Sequence, residues 1–130
     1  MDNAKWRSFF LVCAEQLGPG HTDSGCSASW CSYTTFDRLT GDAGYWTMGL
    51  PAAAEVETWG IRDGGTWGQP FLFERLAHVI VPREFYWERG RGADWECGSR
   101  AQDLVALSAA LGAANVEHRL TDLVLEIKVF

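Results

Sequence analysis

Apolar side chains along the chain fall into two kinds of spacing. Near the start Trp6, Phe9, Phe10, Cys13 and Leu17 recur at three- and four-residue steps while Lys5, Ser8 and Glu15 fall elsewhere, which predicts a helix over 3–17. Asp2 can cap it by accepting the free N–H groups of the first turn, and Gly18-Pro19-Gly20 stops it. From Cys26 to Phe36 the spacing changes to alternation, rich in Thr and aromatics, and predicts a strand. Residues 37–44, with Gly41, Asp42 and Gly44, read as a turn or loop before a short strand at 45–48. Glu55, Glu57 and Trp59 alternate with Ala54, Val56 and Thr58, the pattern of a strand whose one side carries carboxylates. Residues 62–68 read as a flexible loop carrying Trp67, and 71–76 as a helical turn. The β-branched run 77–81, ended by Pro82, reads as a buried strand.

The last third follows the same rules. Phe85-Tyr86-Trp87 extends a strand, and the mixed-charge, glycine-containing residues 88–94 read as a solvated loop. Ser99-Arg100-Ala101-Gln102 has the spacing of a capping box. Leu104, Leu107, Ala110 and Leu111 form one face of the helix that follows, with Gly112 placed to end it. Val116, His118 and Leu120 alternate, Thr121-Asp122 turn, and Leu123, Leu125, Ile127 and Val129 alternate to the end; so apolar a terminal strand belongs inside a sheet. The expected fold is α+β: one domain over 1–130, a largely antiparallel sheet, an N-terminal and a near-C-terminal helix on one face, and a C-terminal strand.

Composition narrows what such a domain does. With 130 residues, 47% of them apolar, the chain can bury one continuous core. No apolar run approaches the roughly 18–20 residues of a membrane span, and the start Met1-Asp2-Asn3-Ala4-Lys5-Trp6-Arg7 lacks the layout of a secretory leader, so a cytoplasmic protein without a membrane partner is expected. The net charge of -6, from 17 acidic and 11 basic residues, is opposite to the footprint that phosphate backbones select; nucleic acid is a poor partner and a charged partner would be basic. The cysteines Cys13, Cys26, Cys31 and Cys97 read as reduced thiols rather than a disulfide framework. Seven Trp are more than a core this size requires, so one or two are expected at a surface.

Candidate chemistry is sparse. His21, Cys26 and Cys31, with Cys97 or His118 as a remote fourth ligand, are the zinc-like set, although on a strand the odd separation turns Cys26 and Cys31 to opposite faces. A cysteine nucleophile could be composed from Cys26, Cys31 or Cys97 with His21, His78 or His118. His78 reads as a core or sheet residue bonded to backbone, and His118 as a partner for Glu126 or Asp122. The carboxylate pairs Glu55/Glu57 and Asp94/Glu96 read as solvated sheet positions before they read as acid–base pairs. Phosphate-binding glycine motifs and a serine elbow are absent, and no cofactor is expected. What remains is acid interleaved with tryptophan: Glu55, Glu57, Trp59, Asp63 and Trp67 in one segment, Glu88, Asp94, Trp95 and Glu96 in another. Aromatics supply contact area and carboxylates select a basic partner.

Gly68-Gln69-Pro70-Phe71, the run Ala77-His78-Val79-Ile80-Val81, the Leu-rich helix and the ending from His118 to Lys128 together resemble the C-terminal parts of small bacterial immunity proteins of toxin systems and of uncharacterised families near them. The resemblance implies an α+β protein that neutralises a cognate toxin by stoichiometric binding and needs no catalytic residues. It carries over no individual site residue. The competing expectation is a small enzyme, or a small-molecule or zinc-binding domain using His21, Cys26 and Cys31.

Overall fold

The computed structural model describes residues 1–130. In chain order the elements are α1 (Asn3–Leu17), β1 (Cys31–Thr35), α2 (Phe36–Gly41), β2 (Trp46–Met48), β3 (Gly60–Ile61), β4 (Phe71–Leu72), β5 (Leu76–Pro82), β6 (Glu84–Arg89), β7 (Glu96–Ala101), α3 (Leu104–Ala113), β8 (Arg119–Leu120) and β9 (Val124–Lys128). Five strands form an antiparallel sheet in the order β2-β1-β5-β9-β8; β3 pairs with β4, and β6 pairs with β7 as a separate hairpin. The fold is therefore α+β, with the N-terminal helix, the helix near the C-terminus and the final strand where the spacing places them. No helix is long and apolar enough to cross a membrane.

Strand alternation divides the five-stranded sheet into two unlike faces. Tyr33 sits opposite Val79, Val79 opposite Ile127, and Val81 opposite Leu125, so these residues share one face. They join Trp6, Phe9, Phe10 and Cys13 of α1 and Leu104, Leu107 and Leu111 of α3 in a single buried cluster. Asp2 caps α1 by accepting the Lys5 N–H at 2.8 Å. The other face carries Ser32, Thr34, His78, Ile80, Glu126 and Lys128.

Several boundaries move because side chains take over backbone hydrogen bonds. The strand expected from Cys26 begins only at Cys31. Residues before it are held by side chains: Ser27 Oγ accepts the His21 N–H at 2.9 Å, and the Gln102 carboxamide takes both the N–H and the C=O of Trp30, at 2.9 and 3.0 Å. Residues 36–41 form a short helix rather than a loop, with Thr35 as its cap. Ser99 is not a helix cap but a residue of β7; Asp103 caps α3 by accepting the Ala106 N–H at 3.0 Å. Gly112 lies inside α3, and the chain reverses at Asn115 (φ 56°).

The largest departure is at residues 55–59. Glu55 ends a 3₁₀ turn (Ala53–Glu55) and is only 7% exposed. Its carboxylate accepts the Ala52 N–H at 2.6 Å, the Thr66 hydroxyl at 3.0 Å and the Thr66 N–H. Gly65 must lack a side chain here, since a Cβ would sit 1.3 Å from Glu55 Oε1. The tether delivers the next residue, Trp67, into the core. There its ring stacks on Tyr33 with centroids 3.6 Å apart, meets Phe10 and Phe71 edge-on at 5.4 Å, and donates from Nε1 to the Gly49 carbonyl at 3.0 Å.

Glu55→Ala leaves the buried Thr66 N–H and the half-buried Ala52 N–H without their acceptor, while the Thr66 hydroxyl keeps the Gly20 carbonyl at 3.2 Å; it should cost about 2–4 kcal/mol, seen as a fall in Tm of roughly 10 °C. Glu55→Gln, which keeps one acceptor oxygen, should cost less; equal Tm values for wild type and Glu55→Ala in a calorimetric scan would remove the tether from the account of stability.

Candidate functional site

The hairpin of β6 and β7 stands outside the five-stranded sheet, and its two faces differ. Phe85, Trp87 and Arg89 lie opposite Arg100, Gly98 and Glu96, and this face turns toward the body of the protein. Phe85 is buried and stacks on Trp30 at 5.7 Å. Arg100 donates to the Ser27 carbonyl, and Arg89 pairs with Glu96 at 2.7 Å. The second face carries Glu84, Tyr86 and Glu88 opposite Ala101, Ser99 and Cys97. Tyr86 is 54% exposed and its hydroxyl reaches Glu88 Oε2 at 3.3 Å; the neighbouring Cys97 thiol, then desolvation and Glu88, push its ionisation upward. At the tip Trp95 is 49% exposed and helps to line a shallow cleft of about 320 Å³ with Asp23, Glu88, Arg89 and Arg91. Glu84, Glu88 and Asp94 belong to none of the five ion pairs.

The two acidic, tryptophan-bearing segments thus part company. Glu88, Asp94, Trp95 and Glu96 are all exposed on or beside the hairpin, Glu96 with its charge met by Arg89. In the earlier segment Glu55 and Trp67 are buried and cannot meet a partner, because one holds a loop and the other fills the core. Glu57 is half-buried, and Trp59 and Asp63 remain exposed. Tyr86, absent from the sequence-derived set, is brought in by strand alternation: once β6 runs through Arg89, Tyr86 and Glu88 must share a face.

The zinc-like set is not assembled. Cys31 is wholly buried in β1, Cys26 is exposed in a 3₁₀ turn (Ser24–Cys26), and the exposed His21 accepts the Asp23 N–H on Nδ1 at 2.9 Å. No three of the His, Cys, Asp and Glu side chains gather where a metal ion could be held. No hydrogen bond joins a cysteine to a histidine either. His118 Nε2 meets Ser108 Oγ at 2.7 Å and its Nδ1 meets the Val116 carbonyl at 2.8 Å, so it pairs with neither Glu126 nor Asp122.

A second polar constellation lies on the polar face of the sheet, with His78 and Glu126 buried. His78 Nε2 is 2.6 Å from Glu126 Oε2, His78 Nδ1 is 2.8 Å from the Tyr45 hydroxyl, and Arg119 Nη1 is 2.9 Å from Glu126 Oε1. The hydrogen bond from His78, with help from Arg119, holds the Glu126 carboxyl below the usual carboxylate range. An ionised Glu126 accepts only, so the proton between it and His78 is carried on Nε2. Desolvation and the Glu126 charge raise Tyr45, which keeps its hydroxyl protonated at neutral pH. The arrangement fixes side chains across β5, β9 and β8 rather than generating a nucleophile. The largest cleft, about 560 Å³ and lined in part by Glu126, Arg119 and Lys128, does not reach Tyr45 or His78.

Compared with protein-family models, curated proteins and solved structures, the chain shows no significant match to any of them.

Because Glu126 ionises more readily folded than unfolded, its contribution is fully present above the ordinary carboxylate pKa of about 4.3 and is lost as pH falls through the lower folded value. Glu126→Gln should therefore cost about 1–2 kcal/mol at pH 7 and flatten the loss of Tm below about pH 4.5. An acid limb identical to that of wild type would assign the pH dependence to other carboxylates.

Proposed function

We propose that this chain is a stoichiometric protein-binding domain of the immunity or inhibitor kind, which neutralises a cognate, basic toxin domain by docking on it through the β6–β7 hairpin. The observation that carries the reading is the pairing of two half-exposed aromatics, Tyr86 and Trp95, with three carboxylates, Glu84, Glu88 and Asp94, that have no cation within the chain. Rigid aromatics with a polar tip bury area at low entropic cost, and unpaired carboxylates steer a basic surface and reject an acidic one. A two-stranded hairpin outside the main sheet can enter a concave partner without disturbing the core. The net charge of -6 and the resemblance of the C-terminal part, under half of the chain, to immunity proteins support the same reading. The alternative, a small enzyme or a small-molecule or zinc-binding domain using His21, Cys26 and Cys31, has no gathered metal-ligand set to rest on.

Co-expression with the protein encoded beside its gene, followed by purification, tests this. The expected product is an equimolar complex. Trp95→Ala should weaken it by about 2 kcal/mol, roughly thirtyfold, and Glu88→Lys with Asp94→Lys should slow association most at low salt. A complex indifferent to all three substitutions would move the docking surface off the hairpin; failure to form any complex would end the reading.

A further inference from the structure

The backbone of the hairpin leaves one side unused. In an antiparallel pair, residues that exchange both hydrogen bonds alternate with residues whose N–H and C=O groups point away from the partner strand. The Gln102 N–H donates to the Arg83 carbonyl at 2.7 Å, which sets the phase: Arg83/Gln102, Phe85/Arg100 and Trp87/Gly98 face inward. Glu84, Tyr86 and Glu88 then point outward from β6, and Cys97, Ser99 and Ala101 outward from β7. The Glu88 N–H confirms the phase by donating away from β7, to Ser24 Oγ at 3.2 Å. On β6 this outer side is thus partly occupied. On β7 no backbone or side-chain group pairs with the outward groups of Cys97, Ser99 or Ala101, and β7 has no neighbour but β6.

An open, six-residue, unbulged edge is a template for another strand, and proteins usually blunt such edges with proline, lysine or a bulge. β7 has none of these. From 97 to 101 its side chains are small, at Cys97, Gly98, Ser99 and Ala101, except for Arg100, which is drawn to the inner face by the Ser27 carbonyl. Behind them stand the large groups of β6. Gly98 exposes the Trp87 indole, since a Cβ there would sit 3.0 to 3.2 Å from three ring atoms.

We propose that β7 is a strand-addition site: an extended segment of a protein partner pairs with the outward N–H and C=O groups of Cys97 and Ser99, with Lys or Arg on the face of Glu84 and Glu88 and a bulky apolar residue beside Gly98. This rests on the protein-binding reading above and names how the partner is held. Two strand spacings, about 9.6 Å, separate Glu88 from a residue added beyond Cys97, a gap that a lysine and a glutamate side chain close across the short Cys97. The face of Glu84, Tyr86 and Glu88 supplies the charge selection. Main-chain bonds supply affinity and the alternate side chains supply specificity, as in other strand-addition complexes. A second copy of this chain fits less well, because symmetric pairing would gather Glu84 and Glu88 of both copies on one face without a cation.

The probe is a capped heptapeptide of alternating lysine and valine, with a glutamate–valine peptide as its control, followed by amide hydrogen exchange of the whole chain. The lysine peptide should slow exchange at Cys97 and Ser99 by about tenfold or more, with no such effect from the control. Ser99→Pro removes an N–H that the hairpin does not use and should weaken the peptide about tenfold, while Ser99→Ala keeps the N–H and should bind within about twofold of wild type. The exchange measurement on unmodified protein stands even where Ser99→Pro perturbs folding. Unprotected Cys97 and Ser99 amides, or equal binding of both peptides, overturn the proposal. So does protection that appears without peptide and rises with protein concentration, which assigns the edge to a second copy. A partner complex that resists Ser99→Pro but not Trp95→Ala overturns strand addition alone, whereas absence of any partner complex overturns the binding reading beneath it.

Discussion

A buried carboxylate holds the two halves of this core together. Glu55 has no cation beside it; it is satisfied by donors from both sides in sequence, Ala52 three residues before it and Thr66 eleven residues after it. An anion in that position is tolerable only because each of its close partners is a hydrogen-bond donor. The consequence reaches well beyond the loop. Thr66 is adjacent to Trp67, whose indole touches Phe10 of α1, Tyr33 of β1 and Phe71 of β4. Helix, main sheet and minor strand pair therefore meet on one ring, and that ring is placed by a polar tether rather than by apolar contact alone.

Gln102 plays the matching role at the other end of the molecule. Its carboxamide reads both backbone groups of Trp30 and donates to the Pro82 carbonyl at 2.8 Å, joining the approach to β1, the end of β5 and the entry to α3. Trp30 then stacks on Phe85, so the same contact seats the root of the β6–β7 hairpin. The hairpin is thus fixed at its base on one face while its other face, its tip and the outer edge of β7 remain solvated. That division suits a docking element: the strands are pre-organised before a partner arrives, and less ordering entropy opposes association.

The polar face of the main sheet is held in a different way. Tyr45, His78, Glu126 and Arg119 form one hydrogen-bonded string, with His78 bridging a hydroxyl and a carboxylate. Thr34, opposite His78, donates to the Gly44 carbonyl at 2.6 Å, so the chain around β2 is held to the same face. A face whose buried positions are the polar Thr34, His78 and Glu126 is held by such cross-strand bonds in place of apolar contacts.

Local spacing was enough for α1, with its Asp2 cap and its apolar stripe, for the Leu104/Leu107/Leu111 face of α3, for β5 and for the terminal strand β9, since a helix or a strand buried on one side must repeat its apolar residues at the period of its backbone. The α+β class followed from their order. The exposed half of the candidate site, Glu88, Asp94, Trp95 and Glu96, was also legible as acid and aromatic in one segment. What spacing could not decide was which acids and aromatics turn inward. Glu55 and Glu57 look alike in the chain, yet Glu55 is enclosed by donors that arrive from Thr66, and Trp59 and Trp67 look alike, yet only Trp67 is carried into the core by that tether. Nor could it show that Gln102, rather than a neighbouring strand, takes the hydrogen bonds of Trp30, or that β7 keeps a free edge. Periodicity reports the geometry of one element against an apolar background, whereas each of these outcomes depends on a polar partner distant in sequence, which only the tertiary structure supplies.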